Sequence, residues 1–285
     1  MFVKVNPRLV QLLINKTFLA GCLLLFFIVA PSAIGTLLIK PDAVKVMAGL
    51  PNLPPSPEHL LGTQSEGRDM LALMLVGTPA TLRIGLIGGG IGLLVGVFLG
   101  LISGYFGGWL DGLIRGIVDV GLTIPSLAIL IMIAASFRGL SLNTMGIVIA
   151  LTAWMQTTRT IRSQVLSLRE RNFIQMAKLS GSGNFGVMFQ EILPNIIPYI
   201  AASFVDAVST AILASIGLEV LGLGAQKAQT LGNTIYFAIF YSAMWRGLWW
   251  WWLPPIIVLV CIFLGLFLVS TALDEFANPR LKRLG

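Results

Sequence analysis

The residues with chemistry to offer are few, and most of them gather in one stretch. Residues 159–195, RTIRSQVLSLRERNFIQMAKLSGSGNFGVMFQEILPN, hold Arg159, Arg162, Arg169, Glu170, Arg171, Lys178 and Glu191 within 37 positions, between apolar runs. Cationic side chains at helical spacing build no catalytic centre. They build a solvated basic surface that suits a protein partner or an anionic headgroup layer. Elsewhere the inventory is thin. Cys22 and Cys261 fall in apolar runs and His59 is the one histidine, so there is no disulfide framework, Cys/His metal cluster or Cys–His pair. His59 lacks convergent ligands and reads as a surface or loop-packing histidine. No G-x-x-x-x-G-K-[ST] loop occurs, which excludes nucleotide binding by that route. Asp206 and Glu219 lie inside an apolar run, where an ionisable group is by default a functional candidate.

The elements that must position these groups follow from composition. The chain has 285 residues, of which 56% are hydrophobic and only 11% charged, and its mean hydropathy is +0.89. Soluble domains carry about 25% charged residues, so the chain reads as an all-α polytopic membrane protein. Its 19 Lys and Arg exceed its 12 Asp and Glu. Those cations sit between apolar runs, as cytoplasmic loops require, rather than in a nucleic-acid footprint.

Six spans are expected. A basic cytoplasmic N-terminus (1–16) precedes a first span at 17–39, whose 23 residues exceed the roughly 7–15 of a signal-peptide core. Pro31 is expected to kink it. An extracytoplasmic loop (40–79) follows, denied regular helix by Pro51, Pro54, Pro55 and Pro57. The core, 80–273, holds spans near 80–105, 113–137, 144–158, 196–221 and 253–273, and a cytoplasmic tail occupies 274–285. The fourth span is short and is expected to continue past Arg159. Glycine recurs at 88, 92, 96, 100 and 104, and again at 108, 112 and 116. That spacing lets helices approach closely in lipid, as fixed packing or as a moving contact. Asp119 stands four residues from Arg115 and is expected to pair with it. Trp249 to Trp252 cannot all face one way at about 100° per residue. They suit an interfacial belt, with an aromatic ligand path as the alternative.

Assigned to these loops, Lys4, Arg8, Lys16, Arg115, Arg159, Arg162, Arg169, Arg171, Lys178, Arg280, Lys282 and Arg283 fall inside. Lys40, Lys45, Arg68, Arg83, Arg138, Lys227 and Arg246 fall outside. Twelve against seven places both termini in the cytoplasm.

Within the basic stretch, Phe173, Met176, Ala177 and Ser180 share one face of a short helix with Asn172 as its N-cap. Gly181 and Gly183 break it, and Phe185, Met188 and Phe189 line a second helix before Pro194. The pattern is a helix-turn-helix outside the bilayer, or else an amphipathic helix lying on anionic lipid.

At these residues the chain resembles the permease subunits of binding-protein-dependent ABC importers. Gln175-Met176-Ala177 stands in the place of that family's Glu-Ala-Ala box, Gly181 is the glycine four residues on, and Leu193-Pro194 closes the signature. PSPEHLLGTQSEGRD, GYFGGWLD, QVLSLRER, VLGLG and NPRLKRL match in order, which narrows the resemblance to the second permease of the dipeptide/oligopeptide/nickel type. The chain departs at Gln175, Met176 and Glu191, at Ser215 and Glu219, and at AQKAQTLGN in place of a proline-rich segment. The resemblance implies a heterodimeric path formed with a second permease subunit. It also implies two ABC ATPase subunits carrying ATP and Mg, an extracytoplasmic solute-binding protein, an inner-membrane location, and no cofactor in this chain. It makes the segment between spans four and five a coupling helix, with Arg171, Asn172, Phe173, Gln175, Met176, Ala177, Lys178, Gly181, Ser182, Leu193 and Pro194 at the ATPase contact. Asp206 and Glu219 are candidates for the translocation path, with Asp206 alternatively a structural partner to a sister residue. The cargo is expected to be an oligopeptide or short oligosaccharide. A secondary transporter or channel driven by an ion gradient is the competing reading.

Overall fold

The computed structural model describes residues 12–39, 41–137 and 139–277. The expected basic residues Lys4, Arg8, Lys40, Arg138, Arg280, Lys282 and Arg283, and the NPRLKRL motif, lie outside them. Apart from one isolated bridge between Thr63 and Asp69, the regular structure of the described residues is helical.

Helix α1 (Lys16–Leu38) starts where Asn15 Oδ1 accepts from the amides of Thr17 and Phe18, and it passes through Pro31. Helix α2 runs from Met70 to Phe106, about 55 Å at 1.5 Å per residue. It begins ten residues before the expected span, which shortens the 40–79 loop. The Asp69 carboxylate accepts from Ala72 N at 2.9 Å and sets the start; Pro79 removes one hydrogen bond further in without ending the helix. Gly107, at φ 67°, then turns the chain sharply into α3 (Gly108–Thr123).

The expected third span is not straight. α3 ends at Thr123, two residues before Pro125, and α4 (Ser126–Ala135) leaves at 82° to it. Pro125 has no amide to donate, and Ile124 before it is extended (φ −87°, ψ 128°), as a residue before proline prefers. Helix α5 (Leu142–Arg169) runs on past Arg159, as expected. A short helix, α6 (Asn172–Leu179), precedes α7 (Asn184–Val220), which contains a π-helical stretch at Val187–Ile192. The connection between the expected spans at 196–221 and 253–273 contains a helix, α8 (Leu231–Phe240), capped by Thr230; α9 (Trp249–Ala277) completes the bundle.

α2 and α5 lie parallel and form the most extensive helix contact. Gly88, Gly92, Gly96, Gly100 and Gly104 make it possible: a Cβ at Gly96 would stand 2.5 Å from Thr157 Cβ, and one at Gly100 2.9 Å from Ile161 Cβ. The glycine period thus reports close packing up to residue 104. Gly108, Gly112 and Gly116 belong to α3 and meet nothing within 4 Å.

Among the described residues, four helices can cross a bilayer by length and hydropathy, α1, α2, α7 and α9, with α3–α4 a fifth if the bent pair is one span. α5 is long enough, but its apolar stretch stops at Arg159. The expected count of six therefore stands at four to five on these criteria.

Candidate functional site

The basic stretch emerges at one end of the bundle. Arg171, extended at φ −76° and ψ 147°, is the N-cap of α6, and Asn172, expected as the cap, is its first helical residue, so the helix starts one position earlier than expected. The helix turns Ile174 fully inward and Ala177 partly so, against Leu101, Tyr105, Ile161, Val165, Val187 and Ile192. Phe173, Met176 and Leu179 point outward, the last two 64% and 84% exposed. Ser180 shares this open side, as do Arg171, Asn172, Gln175, Lys178 and Ser182. The helical period therefore identified the open face at Phe173, Met176 and Ser180 but put the half-buried Ala177 on it, and the anchor, Ile174, went unnoticed.

The helix stops in a tight cap. Gly181 stands at φ 86°, its amide donates to Lys178 O, and the Ser182 amide donates to Ala177 O, both at 3.1 Å. These two bonds make a Schellman motif, which needs a left-handed residue at Gly181. Beyond it Phe185 and Phe189 are exposed, while Met188, expected on the same face, is buried. The π-helical stretch follows, with Leu193 N donating to Met188 O five residues back. Leu193 is half-buried in the inner cluster and Pro194 is exposed. The result is an apolar patch of Phe173, Met176, Leu179, Phe185 and Phe189 with basic side chains beside it.

Ion pairs hold the base of this patch. Asp111 accepts from Ser103 Oγ and receives the Arg162 fork, through Nε at 2.5 Å and Nη2 at 2.7 Å. Arg169 Nη1 donates to the carbonyls of Gly104 and Tyr105 at the end of α2, each at 3.2 Å. Tyr105 OH donates to Asn184 Oδ1 at 3.0 Å, and the Lys178 ammonium lies 5.4 Å above the Tyr105 ring. Asp119 meets Arg115 at 4.0 Å as expected, and also Arg159 at 3.4 Å. The Asp111–Arg162 fork spans 51 positions, and no local pattern could announce it.

The two acids of α7 are not brought together. Asp206 is exposed on the helix flank, with Thr210 also open and Ser203 and Ser209 half-buried, and it accepts from Ser270 Oγ at 2.6 Å. Glu219 is 0% exposed, enclosed by Thr230, Gly224 and Gly232. It lines no open surface, contrary to the expectation for a path residue, because the turn after α7 folds back over it.

At the opposite end the loops close on one another. Arg68 Nη1 donates to Gln229 Oε1 at 3.0 Å, Arg246 Nη1 to Ser65 Oγ at 3.0 Å and Trp250 Nε1 to Thr63 O at 3.2 Å. His59 Nδ1 lies 2.7 Å from Asp69 Oδ2, the carboxylate that caps α2. Trp251 is fully buried and Trp249 half-exposed, so the four tryptophans divide as the helical rotation demands.

Residues 96–283 match the family described as binding-protein-dependent transport system inner membrane component. A dipeptide transport system permease protein of Bacillus subtilis is 28% identical over 74% of this chain, and the match spans 66% of that protein, just under two thirds. One of Alkalihalophilus pseudofirmus is 32% identical over 80% of this chain and 74% of its own length. An oligopeptide transport system permease protein of Mycobacterium tuberculosis is 33% identical over 64% of this chain and 63% of its own.

Proposed function

This chain belongs to the binding-protein-dependent transport system inner membrane component family, and we propose that it is the permease half of a peptide importer driven by ATPases it does not itself contain. It is a transport component of the membrane rather than an enzyme. The observation that carries the proposal is the patch on α6 and the start of α7. Large apolar side chains left open among basic ones, at the polar end of a bundle, form a docking surface, since such patches rarely stay uncovered. Ile174 and the Gly181 cap hold that surface rigidly on α7.

In this reading two ATPase subunits, carrying ATP and Mg, seat the α6 patch on the cytoplasmic face. A second permease subunit completes the path, six spans are crossed, and a solute-binding protein delivers cargo to the far end. Closure of the ATPases pulls α6 and tips the bundle between two packings, whose balance the nucleotide biases. Asp206 and Thr210 on the open flank of α7 line the path, since a polar flank in a span faces protein or water rather than lipid. The relatives' names favour a dipeptide or oligopeptide cargo over an oligosaccharide.

Purification tests the reading. The chain extracted in mild detergent is expected to bring ATPase subunits with it, and Met176→Glu to lower their recovery about thirtyfold, the effect of losing roughly 2 kcal/mol at a central contact. Accumulation of a labelled dipeptide by the purified chain alone, on an ion gradient without ATP, would overturn it.

A further inference from the structure

α7 joins the coupling end of the molecule to its opposite end. Its first turns bury Val187, Met188 and Ile192 in the cluster that seats Ile174 of α6. Its last turn presents Glu219, 0% exposed, to the segment that opens α8. Thr230 Oγ1 donates to Glu219 Oε1 at 2.7 Å and accepts from Asn233 N at 3.0 Å, so one hydroxyl both caps α8 and holds the carboxylate. Glu219 Oε2 has no hydrogen bond and occupies the place a side chain on residue 232 would need, and Glu219 Cγ fills the corresponding place at Gly224. Only glycines at 224 and 232 leave room for this acid. Leu231 N donates to Thr81 Oγ1 of α2 at 3.0 Å, and Asn233 Nδ2 donates to the carbonyls of Ala225 and Ala228, both at 2.8 Å. The positive end of α8 thus adjoins the acid, which offsets part of its desolvation.

A buried carboxylate with one satisfied oxygen is a costly way to fill space. Its geometry fits a joint. We infer that Glu219 is a positioning residue that staples α8 to the far end of α7, so that α8 is carried along by any movement imposed on α7 through α6. The inference rests on the reading of α6 as the ATPase contact. The staple moves the far-end helix without touching cargo, and the tight seating of α7 between Glu219 and Ile174 makes α6, α7 and α8 one lever.

The test uses the intact complex with its ATPases in lipid nanodiscs, with Cys22 and Cys261 replaced by serine. Spin labels go at Gln190 and Phe240, both exposed and at opposite ends of the lever. In the native background the label-to-label distance is expected to stay the same without nucleotide and when trapped with ATP and vanadate. In Glu219→Ala it is expected to shift and broaden several-fold on trapping, with basal ATP hydrolysis unchanged. Thr230→Val, which deletes the hydroxyl's bonds to Glu219 and to Asn233 N and keeps the packing, is expected to shift it in the same direction, and serves if Glu219→Ala does not fold. A native distance that changes on trapping, or variants that follow the native distribution, overturns the staple. Failure of ATPases to co-purify sinks the coupling reading instead. The staple is then judged by whether Glu219→Ala broadens the nucleotide-free distribution, and an unbroadened one overturns it.

Discussion

At the scale of single residues, the coupling segment depends on one backbone conformation. Gly181 holds φ 86° and would meet nothing within 4 Å if it carried a side chain, so space is not what demands glycine there. Conformation is: a β-branched residue in the left-handed region pays about 1–2 kcal/mol and gives up the Schellman bonds to Lys178 O and Ala177 O. Gly183, two positions on, has φ −68° and equally open surroundings. Gly181→Val is therefore expected to leave the protein inserted in the membrane while abolishing cargo-stimulated ATP hydrolysis of the complex, and Gly183→Ala to leave that hydrolysis near native. Equal behaviour of the two variants would remove the cap from the mechanism.

Among the elements, one glycine period serves two different helices. From Gly88 to Gly104 it faces α5 and admits no Cβ, whereas Gly112 and Gly116 on α3 face open space. Gly96→Leu is expected to lower the melting temperature in detergent or to block accumulation of the chain, since overpacking a tight helix contact costs about 1–3 kcal/mol. Gly112→Leu is expected to melt as the native chain does, and a comparable loss at both positions would refute this division. Sequence reasoning placed the period correctly from Gly88 to Gly104, because spacing in lipid has a direct packing consequence, and it located α1 and α9 closely because long apolar runs are unambiguous, whereas α7 begins twelve residues before the expected span. The limits were physical. Pro125 was legible as a proline, but whether it kinks a span or breaks it by 82° depends on what α4 packs against. α8 was missed because a ten-residue, mostly apolar stretch in a loop carries no decisive period. Its cap at Thr230 is local, but the Glu219 carboxylate that the same hydroxyl holds lies eleven positions away. The buried Ile174 and the exposed Phe173 are adjacent in sequence, and only the inner cluster decides which of them is anchor and which is surface.

For the molecule as a whole, the two ends differ in kind, and their charges predict which side of the membrane each occupies. One end carries the open α6 patch with Arg171 and Lys178; at the other, Arg68 and Arg246 hold loop to loop by donating to Gln229 and Ser65. Cations near span ends are retained in the cytoplasm, and twelve of the 19 Lys and Arg fall on the α6 side when the loops are assigned alternately. If α2 and α5 cross in the same direction, a return crossing lies between them, and the bent pair α3–α4 is the segment placed to make it. The α6 patch is therefore expected to face the cytoplasm. A cysteine placed at Ser182, in a background with Cys22 and Cys261 replaced by serine, should react with a membrane-impermeant maleimide in inverted vesicles and stay unreacted in intact cells. One at Met244, exposed at the opposite end, should show the reverse. Labelling of Ser182→Cys from outside would put the patch where no ATP is available, and would dismantle the importer reading together with the topology that supports it.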